Sequence, residues 1–120
     1  MRSMLFWFLN IVAALVILVL LGLHLAEMHL SALWQYFTGA GPNPLDWEQV
    51  VARGNSTTML ASYILLLGAA LFHGFYGVHN ILVEALDGAK AQRAVGVLCW
   101  VAGLALFLVG TFVTVAFNGA

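Results

Sequence analysis

Hydrophobic residues group along the chain into three long runs, separated by two short polar connections. The runs cover about residues 4–33, 57–86 and 94–117. A helix that crosses a bilayer needs about 20 apolar residues, so each run predicts one membrane-spanning helix. The second connection, LDGAKAQR, is a tight polar turn around Gly88 that makes the second and third helices antiparallel neighbours. The pattern therefore predicts an all-α integral membrane protein with three transmembrane helices in one domain, residues 1–120.

The first connection carries signals that end one helix and begin another. Pro42 and Pro44 are expected to stop the first helix, because proline cannot continue a helix beyond its first turn. Ser56 or Thr57 can cap the next membrane helix with its hydroxyl group. Residues 45–53 can form a short surface helix between the two.

Composition and charge narrow the function classes. Hydrophobic residues make up 63% of the 120 residues and charged residues 8%, against about 25% charged residues in soluble domains. Three helices leave no room for a separate soluble domain, so the chain alone is expected to catalyse nothing. The net charge of -1 offers no basic surface for nucleic acid. The single cysteine, Cys99, lies in an apolar run and is expected to be a packing thiol.

The few cations predict an orientation in the membrane. Arg2 precedes the first run, and Lys90 and Arg93 lie in the second connection. The first connection carries Arg53 together with two acidic residues. By the positive-inside rule, the N-terminus and the turn at residues 87–93 are expected in the cytoplasm.

A polar stripe runs along the second predicted helix. At about 100° per residue, five residues fall on one narrow face; they are Ser62, His73, Gly77, Asn80 and Glu84. Gly74 and Gly77 remove side-chain bulk close to His73, as the approach of a flat, bulky group or of another backbone would require. His79 lies about 120° from the stripe and is expected to be interfacial or to face a partner.

The first predicted helix has a similar face. It contains Asn10, Ile17, His24, Ser31 and Gln35. His29 is rotated about 140° away from His24. In the predicted orientation His24 lies near the outer face of the membrane, whereas His73 lies about 16 Å in from the cytoplasmic end. One bound group is therefore not expected to be held by both histidines.

Haem b is the cofactor that these histidines fit best. A membrane histidine can also serve simply as a hydrogen-bond donor between helices, and this interpretation stays open for His24 and His73. Zinc is disfavoured, because the spacings do not assemble three or four ligands on one side. A bis-imidazole haem needs one neutral histidine from each of two helices, with small residues beside it. The third run has no histidine, and its Gly96, Gly103 and Gly110 are expected to serve close helix packing.

Two stretches resemble the membrane anchors of succinate dehydrogenase and fumarate reductase. FHGFYGVHNILVE, in the second run, resembles their second-helix signature, in which glycine follows a histidine by four residues and an acidic residue comes near the cytoplasmic end. HLAEMHL, in the first run, resembles the histidine-leucine-x3-histidine stretch of the di-haem anchors. The resemblance spans about residues 15–95 and includes the three-helix plan.

The resemblance implies a cytochrome b anchor of a prokaryotic cytoplasmic membrane. Such an anchor pairs with a second membrane anchor subunit, docks an iron-sulfur subunit and a flavoprotein subunit, and passes electrons to quinone. His73 would match the axial ligand of the haem nearer the soluble subunits, and His24 a ligand of a distal haem. The partner histidines would come from the other anchor. Gly77 would admit the porphyrin, and Asn80 would carry polar contacts toward the cytoplasmic rim.

One departure and two alternatives accompany the resemblance. Single-haem anchors of this type carry an acidic residue followed by tyrosine near the inner end of the second helix, whereas this chain has Glu84 and Ala85. An inner quinone site would then be built mainly by other chains. A b-type cytochrome anchor of another quinone-coupled dehydrogenase and a non-redox structural membrane subunit stay open as functions.

Overall fold

The structure, a computed structural model, describes residues 4–39, 41, 43 and 45–118. This part of the chain forms four α-helices and no strand. They are α1 (Met4–Thr38), α2 (Trp47–Gly54), α3 (Thr57–Ala85) and α4 (Ala89–Asn118). Three residues used in the sequence analysis lie outside the described residues. They are Arg2, which supports the predicted orientation, and Pro42 and Pro44, which predict the end of the first helix.

Three of the helices are long and apolar enough to cross a membrane: α1, α3 and α4. Their 35, 29 and 30 residues correspond to about 52, 43 and 45 Å of helix, against about 30 Å of hydrocarbon in a bilayer. Only Ala13 and Val95 are buried hydrophobic residues in the described part, and large apolar side chains cover the outside. The predicted all-α fold with three membrane-spanning helices is confirmed.

The central helix is α3, which packs against both α1 and α4. Among the described residues, no Cα atom of α1 lies within 8 Å of one in α4. Phe6, early in α1, contacts Phe72 in the middle of α3, whereas His24, later in α1, contacts Tyr63, early in α3. Helices α1 and α3 are therefore antiparallel, and the α3–α4 turn lies at the same end of the bundle as the start of α1. We call this end the turn end and the opposite one the α2 end.

Glycines bring α3 and α4 close together, as the sequence predicts. They are Gly96, Gly103 and Gly110, one on every second turn of α4. A Cβ atom on Gly103 would lie 3.5 Å from Cδ2 of Phe75, and one on Gly110 would lie 2.5 Å from Cδ2 of Leu67. The glycine face of α4 is thus turned toward α3 and is occupied by its side chains.

The ends of the helices differ by a few residues from the sequence prediction. α1 continues to Thr38, past the predicted end at residue 33. α4 begins at Ala89 rather than at residue 94, because Gly88 at φ +101° completes the chain reversal by itself. Gln92, in the first turn of α4, donates to the carbonyl oxygens of Val83 and Leu86 at 3.3 Å each, and so satisfies acceptors at the end of α3.

The first connection contains the expected short helix, α2, which packs against α3 and α4. Ser56 is the cap of α3: its hydroxyl oxygen accepts from the backbone N–H of Met59 at 3.5 Å. The side-chain amide of Asn118 donates to the backbone oxygen of Gly54. The rings of Trp47 and Phe117 meet edge to face, with centroids 6.1 Å apart. These contacts hold α2 across the end of α4.

Candidate functional site

His73 is exposed on an open face of α3. Gly74, beside it, is exposed as well, and Cβ atoms built on Gly74 and Gly77 would meet nothing within 4 Å. Asn80, two turns farther toward the turn end, is half-buried. The chain itself therefore leaves open space next to the imidazole, on the side where the sequence predicts a bulky ligand.

Aromatic packing fixes the direction in which His73 faces. Phe72 stacks with Phe6 of α1 at 6.4 Å between ring centroids and with Tyr76 at 6.0 Å. Phe6 also meets Trp100 of α4 edge to face at 6.3 Å. Because Phe72 lies inside this cluster, its neighbour His73, about 100° around the helix, is directed away from it. The cluster therefore holds α3 in the rotation that leaves His73 accessible.

His79 faces a different neighbour. Its ring lies against α4, with Nε2 3.5 Å from the position that a Cβ atom on Gly96 would take. The sequence analysis expected an interfacial or partner-facing role for His79. In this structure the residue is half-buried and packs within the chain, because the wide groove at Gly96 accepts an imidazole.

The polar face of α1 is turned inward, onto α3. Its members are all half-buried: Asn10, Ile17, His24, Ser31 and Gln35. The ring of His24 meets that of Tyr63 edge to face, with centroids 5.6 Å apart and planes at 85°. His29, on the other side of α1, is exposed. The sequence thus identified the polar face of α1, and the structure adds that α3 covers it.

Two polar atoms inside the bundle have no partner in the described part of the chain. They are the side-chain oxygen of Asn10 and the hydroxyl oxygen of Thr111, which are both buried and take part in no hydrogen bond with the described residues. Ser31 satisfies its own hydroxyl by donating to the backbone oxygen of Glu27 at 2.7 Å. The polar face of α1 is therefore only partly used for hydrogen bonds within this chain.

A cleft of about 300 Å³ opens at the α2 end, where all four helices meet. We call it the four-helix cleft. Its walls are formed by His24, Val50, Arg53, Gly54, Tyr63, Val113, Thr114 and Phe117. A larger depression of about 650 Å³ follows the last turns of α1, and none of the described residues that line it is titratable.

His24 and His73 lie at separate depths. Tyr63, which contacts His24, is ten residues from His73 along α3, or about 15 Å along the helix axis. No group of three or more His, Cys, Asp or Glu residues in the described part of the chain could hold a metal ion. Each histidine would therefore supply one ligand, and any further ligand would come from outside the described residues. Cys99 is half-buried and unpaired with another cysteine.

The sequence analysis did not identify the other polar walls of the four-helix cleft. Tyr63 lies outside the polar stripe of α3, and Arg53 and Thr114 come from other helices. The one available signal was Arg53 itself, which is the single cation of the first connection. Residues so far apart in sequence give no local pattern that would join them.

Among known proteins, the chain resembles a membrane anchor. It is 28% identical over 106 residues to a protein of Archaeoglobus fulgidus named succinate dehydrogenase hydrophobic membrane anchor subunit. The similarity covers 88% of this chain and 83% of that protein. No protein-family model and no solved structure matches the chain. The fold thus defines an all-α membrane protein with three apolar spans, and over most of its length the chain is similar to a membrane anchor.

Proposed function

We propose that this chain is a membrane anchor subunit of a succinate:quinone oxidoreductase. The proposal is supported by the three spans and by similarity to an anchor over most of the chain. The protein's work would then be to hold soluble subunits at the membrane and to position a redox group between them and quinone.

The single observation that carries the haem part of the proposal is the open face at His73. An exposed imidazole with empty space above Gly74 and Gly77 fits a flat ligand that approaches α3 from the side. The residues therefore fit haem b, which when bound accepts and passes on single electrons. His73 would supply one axial nitrogen, and a second anchor subunit would supply the other. Asn80, on the same stripe, would offer an amide to polar groups nearer the turn end.

The role of this chain's own residues is positioning. The Phe6–Phe72–Tyr76 cluster fixes the rotation of α3 and so the direction of His73. The second anchor, packed over the open face, would exclude lipid and water from it. Glu84, exposed near the end of α3, would lie toward the iron-sulfur and flavoprotein subunits if the turn end is cytoplasmic. Lys90 and Arg93 at that end support this orientation. The archaeal source of the similar anchor supports a prokaryotic cytoplasmic membrane as the location.

A second haem on His24 stays a prediction from the resemblance. The depth difference from His73 supports two separate sites. The orientation of the His24 ring gives a second haem less support, because this ring is half-buried against Tyr63 inside the chain. A histidine that holds a haem together with another subunit needs a ring that faces outward. We therefore assign one haem, on His73.

Purification of the assembled complex through a tag on this chain tests the proposal. We expect succinate-dependent quinone reduction together with the Soret band of a b-type haem. A haem-containing complex that oxidises another donor instead would show that the anchor serves a different dehydrogenase. A complex with neither haem nor succinate activity would reduce the chain to a structural membrane subunit and contradict the proposal.

A further inference from the structure

One face of α4 carries two cations that continue into a long apolar stripe. At about 100° per residue, six residues fall within about 80° of one another; they are Lys90, Arg93, Val97, Val101, Leu104 and Leu108. We call this surface the outer face of α4. Its cations are exposed, and its four apolar side chains are 55% to 67% exposed. It is turned away from Gly103, whose side of α4 is occupied by α3. The outer face is therefore open in the described part of the chain.

The two cations have no partner among the described residues. Neither Lys90 nor Arg93 takes part in a hydrogen bond or an ion pair there. Residues three apart on a helix are neighbours, so the two positive charges lie close together. Asp87, in the preceding turn, forms an ion pair with neither of them. Glu84 lies about 180° around α3 from Phe75, which contacts α4, and so points away from α4. The described part of the chain thus leaves both charges available to an external anion.

The depth of the two cations is that of lipid headgroups. The apolar run at residues 94–117 follows them directly. It corresponds to about 36 Å of helix, against about 30 Å of hydrocarbon in a bilayer, so Lys90 and Arg93 lie just beyond the hydrocarbon boundary. From Val97 to Leu108 the apolar stripe extends about 16 Å, close to the thickness of hydrocarbon in one leaflet. The outer face therefore matches the charge and the chain length of one lipid.

Lipid fits this face better than protein does. Basic residues at headgroup depth attract anionic lipid, and the apolar stripe continues from them into the bilayer. A soluble subunit could pair with the cations but would leave that stripe uncovered. The second anchor is proposed over His73, which lies about 160° around α3 from Phe75 and so points away from α4. The outer face of α4 is then left to lipid.

We infer that the outer face of α4 binds an anionic phospholipid of the leaflet at the turn end. Arg93 would pair with phosphate oxygens by charge-assisted hydrogen bonds, and Lys90 would add a second cationic contact. One acyl chain would lie along the four apolar side chains of the face. The inference goes beyond the proposed function. It depends neither on the haem assigned to His73 nor on which leaflet is cytoplasmic.

The double variant Lys90→Gln/Arg93→Gln in the assembled complex tests the inference, with Lys90→Arg/Arg93→Lys as the matched control. The control keeps both charges in place, whereas the double variant removes them. Because neither side chain has a partner in the described part of the chain, both variants are expected to fold and assemble. Delipidated complex in detergent is mixed with phosphatidylglycerol or phosphatidylcholine, and the lipid that stays bound is measured by mass spectrometry. Inorganic phosphate is added as a competitor.

We expect the wild type and the control to bind phosphatidylglycerol in preference to phosphatidylcholine, and the double variant to bind phosphatidylglycerol at least about tenfold more weakly. Equal phosphatidylglycerol binding by the double variant and the control would overturn the site. Loss of the soluble subunits from the double variant, with phosphatidylglycerol still bound, would show that the cations dock protein instead. Displacement of the lipid by inorganic phosphate at equal concentration would contradict a role for the acyl chain.

A second pair of variants tests the apolar part of the face. Leu104→Asn places a polar group in the proposed path of the acyl chain and is expected to weaken phosphatidylglycerol binding a few-fold. Leu98→Asn is the control, because Leu98 is also exposed but lies about 120° around α4 from Leu104. Equal binding by the two variants would contradict an acyl chain along this stripe.

Discussion

Phe72 and His73 are neighbours in sequence but lie on different sides of α3. Phe72 is stacked on Phe6 and Tyr76 inside the aromatic cluster, whereas His73 is exposed. The step of about 100° between successive residues of a helix explains the separation. The packing of the Phe72 ring therefore fixes the direction of the exposed His73 imidazole, which we assign as the haem ligand.

His73→Ala is expected to abolish haem binding at this site while the three-span fold is kept. His73 is exposed, so its loss leaves no cavity in the described part of the chain. Asn80 and Gly77 on the same face cannot replace an imidazole as a ligand. Pyridine haemochrome analysis of the purified complex measures the effect, with His29→Ala, a change at another exposed histidine, on α1, as control. Unchanged haem content in the His73 variant would contradict the assignment.

Gly77→Leu is expected to lower haem content although His73 is intact. The side chain would enter the space that is open in this chain and that the porphyrin is proposed to use. Gly22→Leu is the matched control, because Gly22 also has nothing within 4 Å of a Cβ atom but lies on α1. Haem content and thermal unfolding, measured for both variants, separate a blocked haem site from a general loss of stability. Equal haem loss in both would indicate a general assembly defect rather than a blocked site.

Sequence periodicity was sufficient to find the faces of the helices but not what covers them. The stripe through His73 and the face through His24 both follow from the 100° repeat. Nothing in that repeat distinguishes the His73 face, which is open, from the His24 face, which α3 covers, because a polar face is compatible with either. Which face becomes covered depends on how α1 and α3 cross. That crossing is set by contacts between residues far apart in sequence, such as Phe6 with Phe72.

The glycine face of α4 and the turn at Gly88 were predictable for a different reason. A repeat of small residues and a left-handed glycine are local requirements that the sequence carries itself. The four-helix cleft has no such local signature, because Arg53, Tyr63 and Thr114 come from three helices. It exists only after α2 has folded back onto α3 and α4.

Gly54→Ala is expected to detach α2 from the end of α4. A Cβ atom at this position would collide with the ring of Phe117, and a rigid ring cannot yield as a flexible side chain does. Overpacking of this kind costs about 1–3 kcal/mol. Gly103→Ala is the control, since its Cβ atom would meet Phe75 at an ordinary 3.5 Å. Thermal unfolding in detergent should show a lower midpoint for Gly54→Ala only, and equal midpoints would contradict the close approach of α2 and α4.

His24→Ala decides whether a second haem is bound near the α2 end. Because the His24 ring lies against Tyr63 inside the chain, we expect the variant to keep the haem content and the redox titration curve of the wild type. Pyridine haemochrome analysis and a redox titration of the complex measure the two quantities. His29→Ala, on the exposed side of α1, should change neither of them. A wild type with two haem steps, one of which disappears in His24→Ala, would instead establish His24 as a ligand of a second haem.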